Sequence, residues 1–267
     1  MLDTQWILGR VRQKRPLVHH ITNWVTIYDC ANITRAFGAL PVMAHAKEEV
    51  EQMVGLADCL VLNIGTLTPE LVDTMILAAT VANKKGIPVI LDAVGAGATD
   101  LRTDSCHRIL KNANVDVLKG NYGEIGTLSG AKAEVKGVES IGLKGEPREI
   151  AKTLAKRLGN TVVMTGKRDI VSSPGITYLI DNGTAEMGSI VGTGCMATSV
   201  IGAFSAVERD YALACAEALT CFGIIGELAC VGACGPGSYK TAFFDAVGKL
   251  DQSIVRSMAK VKVEGGR

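Results

Sequence analysis

Neither a C-x-x-C pair nor a cysteine–histidine cluster occurs in this chain of 267 residues, although it carries eight cysteines, so zinc-type ligation is not indicated. Surplus charge is missing as well. The 28 Lys and Arg residues face 27 Asp and Glu, a formal net charge of +1 that gives no electrostatic reason to bind nucleic acid or an anionic membrane. The N-terminal stretch MLDTQWILGRVRQKRP has its basic residues after its few apolar ones and lacks an uninterrupted apolar core, so it does not read as a secretory signal, and a cytoplasmic protein is expected. A run of about 20 consecutive apolar residues, which a membrane span needs, is also absent. The nearest approach, YALACAEALTCFGIIGELACVGACG, is interrupted by Glu217 and Glu227 and reads as a buried helix. No repeat or low-complexity segment is present. These exclusions leave a small molecule, or a second copy of the chain, as the partner.

What remains is ample core material. Hydrophobic residues make up 48% of the chain and the mean hydropathy is +0.25. At this length one compact domain, residues 1–267, is the expectation. Most cysteines read as small core hydrophobes. The spacing of Cys230 and Cys234 puts two thiols on one helix face, but without a secretory signal no structural disulfide is expected.

The runs LVHHITN, LPVMA, DCLVLNIG, IPVILDAVG, VDVLKG and NTVVMTG each precede a segment of helical character. That alternation predicts an α/β fold with a mostly parallel sheet and crossover helices. Nearly continuous apolar strands such as PVILDA predict a sheet covered on both faces. DIVSS and ITYLID, joined through Pro174 and Gly175, predict an antiparallel hairpin at one edge, and after Gly194 the chain reads as almost entirely helical. The segment SGAKAEVKGVESIGLKGEP reads as a surface excursion. Ligands of open parallel sheets bind at the carboxyl ends of strands, which singles out Asn23, Met43, Gly65, Asp92, Lys119 and Thr165.

Several motifs admit a structural and a functional reading. GTGCMA, spanning Gly192, Thr193, Gly194 and Cys195, opens a helical run; its glycines either serve a packing turn or leave backbone N–H groups free to hold an anion. It is not a dinucleotide fingerprint, because no strand ending in an acid follows. Asn121 and Glu124 have the spacing of a capping box, while Glu124 also suits a water or magnesium ion beside phosphates. Asp92 precedes a glycine-rich loop and either caps the next turn or faces a metal. His19 and His20 fall on opposite faces of a strand as structural residues, and Met43 is by default a gap-filling core residue.

Taken in order, PLVHHITNWVTIYDCAN, LPVMAHA, DAVGAGAT, KGNYGE, VVMTGKRDIV, GTGCMATSVIGAF and GPGSY resemble the hydroxyethylthiazole kinase family over nearly the whole chain. The resemblance implies a three-layer α/β/α ribokinase-like domain, a homotrimer with sites near subunit contacts, and ATP-dependent phosphorylation of a thiazole alcohol. It implies that Met43 and Gly192 contact the thiazole, with Asn23 in the same substrate-side segment. Lys119 and Thr165 match nucleotide contacts; the family often has arginine at the position of Lys119, so the charge is kept and the bidentate fork lost. Asp92 and Glu124 match an acidic pair associated with Mg²⁺. Ala93 replaces the usual proline, and Ser172-Ser173-Pro174-Gly175 departs from the usual Ser/Thr-Asp-Gly.

Within that resemblance Gly192, Thr193 and Gly194 cradle the transferring phosphoryl group. Cys195 stands where related kinases of this fold place an aspartate base. A helix N-terminus lowers a thiol pKa and a neighbouring triphosphate raises it, so Cys195 is expected to be a mediocre base that orients the acceptor hydroxyl. Three competing readings are a kinase for another small alcohol, a non-catalytic binding sensor, and a thiol hydrolase; the last needs one of His19, His20, His45 or His107 beside Cys195.

Overall fold

The computed structural model describes residues 6–131, 133–136, 139–143 and 145–265. Its centre is a nine-stranded sheet. The parallel part runs in the order β2 (Leu40–Val42), β1 (Leu17–Ile21), β3 (Cys59–Asn63), β4 (Val89–Asp92), β5 (Val117–Asn121) and β8 (Thr161–Thr165). Antiparallel strands β9 (Asp169–Ser173), β10 (Ile176–Ile180) and β11 (Val261–Gly265) extend it beyond β8. The excursion after residue 129 contains a separate antiparallel pair, β6 (Ala133–Lys136) with β7 (Glu139–Leu143); residues 132, 137, 138 and 144 lie outside the described residues.

Alternation along the strands builds two cores. Val18, Cys59, Val61, Ile90, Val117 and Val163 face α1 (Ile7–Lys14), α2 (Ile27–Ala36), α8 (Thr193–Ser205), α9 (Tyr211–Ala229) and α10 (Pro236–Val247). Leu60, Leu62, Val89, Leu91, Leu118 and Val162 face α3 (Val50–Leu56), α4 (Pro69–Lys85), α5 (Asp100–Asn112), α6 (Tyr122–Ser129) and α7 (Pro147–Leu158). The three-layer expectation therefore holds, and for the stated reason: the central strands, β3 and β4 above all, are buried on both sides.

Helix α8 packs against β1, β3 and β4. Val200, Ile201 and Phe204 are fully buried, and each such side chain contributes about 1.5–3 kcal/mol of burial. Its approach depends on Gly202, where an added Cβ would come within 2.6 Å of Val61 Cγ2.

Three details differ from the sequence reading. β8 leads into the β9–β10 hairpin rather than a helix, because Asp169 accepts a 3.0 Å bond from the Gly166 N–H and tightens the turn. The region after Gly194 also contains β11, a half-exposed edge strand. Helix α9 ends at Ala229, so Cys230 and Cys234 do not share a helix face, and both thiols are free. Helix α9 is long and apolar enough to cross a membrane by composition, yet it is mostly buried within the protein. Its Glu217 has a specific task, accepting the N–H of Ile7 at 2.8 Å and of Leu8 at 3.3 Å, and so caps α1 from a distance.

His19 and His20 do fall on opposite sides. His19 Nε2 bonds the Ala44 carbonyl at 2.8 Å, while His20 lies against α8, with Nε2 3.1 Å from Ser199 Oγ. Burial lowers the His20 pKa from 6.5 to about 3, against a smaller upward pull from the Val18 carbonyl. The unfolded chain then binds the extra proton between those two values, so this stability is complete above pH 6.5 and is lost as pH falls. The stability gap between the wild type and His20→Gln should close by about 1.4 kcal/mol per pH unit below pH 6. Urea unfolding at pH 7.5, 6 and 5 reads this difference, in which other titrating groups cancel. A gap independent of pH would show that His20 binds protons equally in both states.

Candidate active site

The carboxyl ends of three neighbouring strands place Asn63, Asp92 and Lys119 side by side. Strand register pairs Asn63 with Asp92 and Asp92 with Lys119. Each lies two residues beyond Val61, Ile90 or Val117, so all three face α8, where an apolar row gives way to a polar one. All three are buried.

Burial demands partners, and each group has them. Asp92 Oδ1 lies 3.1 Å from Lys119 Nζ, and Oδ2 accepts from Asn63 Nδ2 at 2.9 Å and Thr198 Oγ1 at 2.7 Å. Lys119 Nζ also donates to the Gly194 carbonyl at 3.1 Å. Burial alone would lower the Lys119 pKa, but the carboxylates of Asp92 and Glu124 outweigh it and hold the ammonium above its ordinary value. Asp92 thus neither caps a turn nor stands open; it anchors a charged row.

The start of α8 closes over this row. Gly192 is the N-cap at φ 93°, a left-handed conformation that favours glycine, and a Cβ there would come within 2.5 Å of Thr26 Cγ2. The first N–H groups of the helix, at Thr193, Gly194 and Cys195, have no carbonyl within it to bond. Cys195 Sγ receives two amides, Asn63 Nδ2 at 3.3 Å and Asn23 Nδ2 at 3.4 Å. Its pKa is raised by burial and by Asp92, against the pull of Lys119, so the expected lowering at a helix N-terminus is outweighed. His19, His20 and His45 each bond elsewhere through Nε2, His45 on the Thr22 backbone, and no histidine hydrogen-bonds Cys195 Sγ among the described residues. The thiol-hydrolase reading loses its base.

Glu124 forms the anticipated capping box on α6 with Asn121. Its Oε2 accepts the Asn121 N–H at 2.6 Å and its Oε1 the Gly95 N–H at 2.7 Å, tying the loop after β4 to the end of β5. Burial raises its pKa to about 7, while Lys119 pulls it down and Asp92 pushes it up. Two acids therefore share one lysine. No group of three or more His, Cys, Asp or Glu side chains suited to a metal occurs among the described residues.

A cavity of about 1000 Å³ opens beside this row. Thr165, Thr193 and Gly194 line it with Ala197, Leu219 and Phe222, and Arg168 and Asp181 form an ion pair at its rim. Asn182 on its wall donates to Glu227 Oε1 at 3.1 Å and the Met258 carbonyl at 2.9 Å, and accepts from the Lys260 N–H at 2.7 Å.

The sequence-predicted residues thus fall into one network, Asn23, Asp92, Lys119, Gly194 and Cys195, with Gly192 at its helix cap, Glu124 next to it, and a cavity holding Thr165 and Thr193. Met43 lies outside both groups, half-buried just past β2. Sequence reasoning missed Asn63 and Thr198, whose positions become significant only through register and helix packing.

A family model described as the hydroxyethylthiazole kinase family matches residues 8–253. The chain belongs to this family. A hydroxyethylthiazole kinase of Methanosarcina mazei is 55% identical over 255 residues, 96% of this chain and 98% of that protein. The solved structure of hydroxyethylthiazole kinase from Pyrococcus horikoshii is 41% identical with a TM-score of 0.87 over 97% of each chain. A ribokinase-like superfamily protein from Enterococcus faecalis, 16% identical with a TM-score of 0.65 over 92% of this chain and 95% of its own, shares the fold alone. The fold is ribokinase-like, and the hydroxyethylthiazole kinase family makes the chain a kinase.

The buried pair carries a stability prediction. Lys119→Met leaves the Asp92 charge without its cation and should cost about 3–5 kcal/mol. Adding Asp92→Asn should recover much of that loss. Urea unfolding of the single and double variants measures it, and strictly additive losses would show that the two groups are not coupled.

Proposed function

We propose that the chain transfers the γ-phosphoryl group of ATP to the hydroxyethyl oxygen of 4-methyl-5-(2-hydroxyethyl)thiazole, a salvage step in thiamine synthesis. The observation that carries this reading is the buried Asn63–Asp92–Lys119 row, capped by a glycine-rich helix start beside a cavity of nucleotide size. Family membership names the acceptor class.

In this reading the nucleotide lies in the cavity against Thr165, with its terminal phosphate at the N–H groups of Thr193 and Gly194. Lys119, 3.1 Å from the Gly194 carbonyl, adds positive charge to the same place. The acceptor lies toward Asn23, Met43 and Gly192, with its hydroxyl at Cys195. The hydroxyl oxygen forms the new P–O bond while the bond from the γ-phosphorus to the bridging oxygen breaks, and ADP leaves with that oxygen. The proton passes late to solvent, because the loose transition state asks more of positioning than of deprotonation. Cys195, with its pKa raised, orients the hydroxyl more than it deprotonates it.

The donor set fits Mg²⁺ arriving on the phosphates with its own waters rather than in a protein cage. With Glu124 ionised, Asp92 and Glu124 carry one more negative charge than Lys119 neutralises, and their oxygens already accept hydrogen bonds that water-mediated contact leaves intact. When bound, the ion neutralises phosphate charge. The reading includes a homotrimer in the cytoplasm, with sites near subunit contacts. Exposed Trp24, Val25, Tyr28 and Val191, within five residues of Asn23 or Gly192 in sequence, support the subunit contact.

A coupled ADP-release assay with ATP and Mg²⁺ across thiazole, pyrimidine and sugar alcohols should respond to the thiazole; a response confined to another alcohol would replace the acceptor. Asp92→Ala or Glu124→Ala should abolish most turnover in a folded protein. For Glu124, capping alone predicts about 0.5–2 kcal/mol of lost stability with activity kept, so thermal unfolding beside turnover separates the two roles.

Cys195 is tested separately. Cys195→Asp should keep or raise turnover, Cys195→Ser should be impaired, and Cys195→Ala should retain measurable activity, since general-base help is worth about 10²–10⁴-fold and a thiol supplies the low end. An inactive but well-folded Cys195→Asp would remove this role.

A further inference from the structure

Asn63 has no assigned task, yet every hydrogen-bonding valence of its side chain is used. Its Oδ1 accepts the Gly65 N–H at 2.9 Å and Asn23 Nδ2 at 3.0 Å. One hydrogen of its Nδ2 goes to Asp92 Oδ2 at 2.9 Å and the other to Cys195 Sγ at 3.3 Å. The orientation of the amide follows from its partners: a backbone N–H only donates and a carboxylate only accepts, so oxygen must face Gly65 and nitrogen must face Asp92. Asn23 is fixed in the same way, because its Oδ1 accepts the N–H groups of Val25 at 3.1 Å and Thr26 at 3.0 Å, which turns its Nδ2 toward Asn63 and the sulfur.

The two amides together decide what Cys195 offers. A neutral thiol has two lone pairs and one hydrogen. With amide donors on both lone pairs, the S–H is directed at an oxygen acceptor, the Thr26 hydroxyl beside the sulfur or a bound alcohol that takes its place. A planar NH₂ group also spreads its two hydrogens at a set angle, so the sulfur is held at a fixed bearing from the Asp92 carboxylate. A hydroxyl side chain has one hydrogen and cannot serve both acceptors, and a carboxylate has none.

We infer that Asn63 is a positioning residue for the transfer reaction, bridging Asp92 and Cys195 through its two amide hydrogens and setting the thiol where the acceptor alcohol meets it. The inference rests on the phosphotransfer reading, and it concerns a residue that acts through Cys195 without touching substrate.

The test uses the full chain with Cys230→Ser and Cys234→Ser, which leaves Cys195 the accessible thiol among partly exposed cysteines. Asn63→Asp keeps the shape and both accepted bonds and, beside Asp92, can hold only the one proton the two carboxyls share, so the bond to the sulfur is lost; Asn63→Ser is the second variant should the first not fold. The expected result is a fall in kcat of about 10²-fold, the scale of a small misplacement at a reacting centre. KM for the thiazole alcohol should stay within about threefold, since ground-state binding is not the interaction removed. In a Cys195→Ala background the same Asn63 changes should cost at least about tenfold less, because the effect is routed through the sulfur. Iodoacetamide labelling of Cys195, followed by peptide mass, should slow about tenfold in Asn63→Asp, where a carboxylate replaces the amide donor.

Equal losses in both backgrounds, unchanged labelling, or failure of both variants to fold would assign Asn63 to the fold alone and overturn the proposal. The labelling arm needs no turnover. A wild type inactive on every alcohol but showing the labelling change would therefore count against the reaction and not against the bridge.

Discussion

The architecture of the site depends on one buried carboxylate. Asp92 sits at a strand end with no solvent, and a charge there is tolerable only with near neighbours that answer both oxygens. The neighbours come from β3, β5 and α8, so satisfying one residue forces three elements into a single arrangement. Lys119 is recruited the same way and passes the constraint on to the Gly194 carbonyl, which fixes the start of α8. An electrostatic requirement becomes a geometric one.

The sheet makes this arrangement affordable by keeping polar and apolar rows separate. On β3, β4 and β5 the residues that face α8 are apolar up to Val61, Ile90 and Val117, and the polar row begins at Asn63, Asp92 and Lys119. Gly202 lets α8 press on the apolar row, and Gly192 lets the chain enter the helix against Thr26. Two glycines therefore set the height and the entry angle of the helix that carries the thiol.

Much of the fold was legible because its signals are local. Buried parallel strands such as PVILDA are apolar throughout, and the Asn121–Glu124 capping box declares itself by spacing alone. β11 was not legible: VKVEG is short, charged and half-exposed, and only pairing with β10 makes it a strand. At the site, Asp92, Lys119 and Cys195 are marked by glycine-rich surroundings or by resemblance. Asn63 is an asparagine at a strand end, where turn chemistry already explains it. Its importance arises from register with Asp92, a non-local fact absent from its own neighbourhood in the chain. Glu217 shows the same limit, since it interrupts an apolar run in sequence and caps α1 in space. The thiol pKa went astray for a related reason: the helix N-terminus is visible in sequence, while the burial and the Asp92 charge that outweigh it are not.

The cavity wall at Asn182 is held by groups from far along the chain, the Met258 carbonyl and the Lys260 N–H, with Glu227 between. During synthesis that wall has no final shape until the ribosome has passed Lys260 and the segment has emerged. The Asn63–Asp92–Lys119 row and its helix lid are complete 55 residues earlier, by Ser205. The buried row can therefore assemble while translation continues, and the cavity beside it closes only when the last edge of the sheet is laid down.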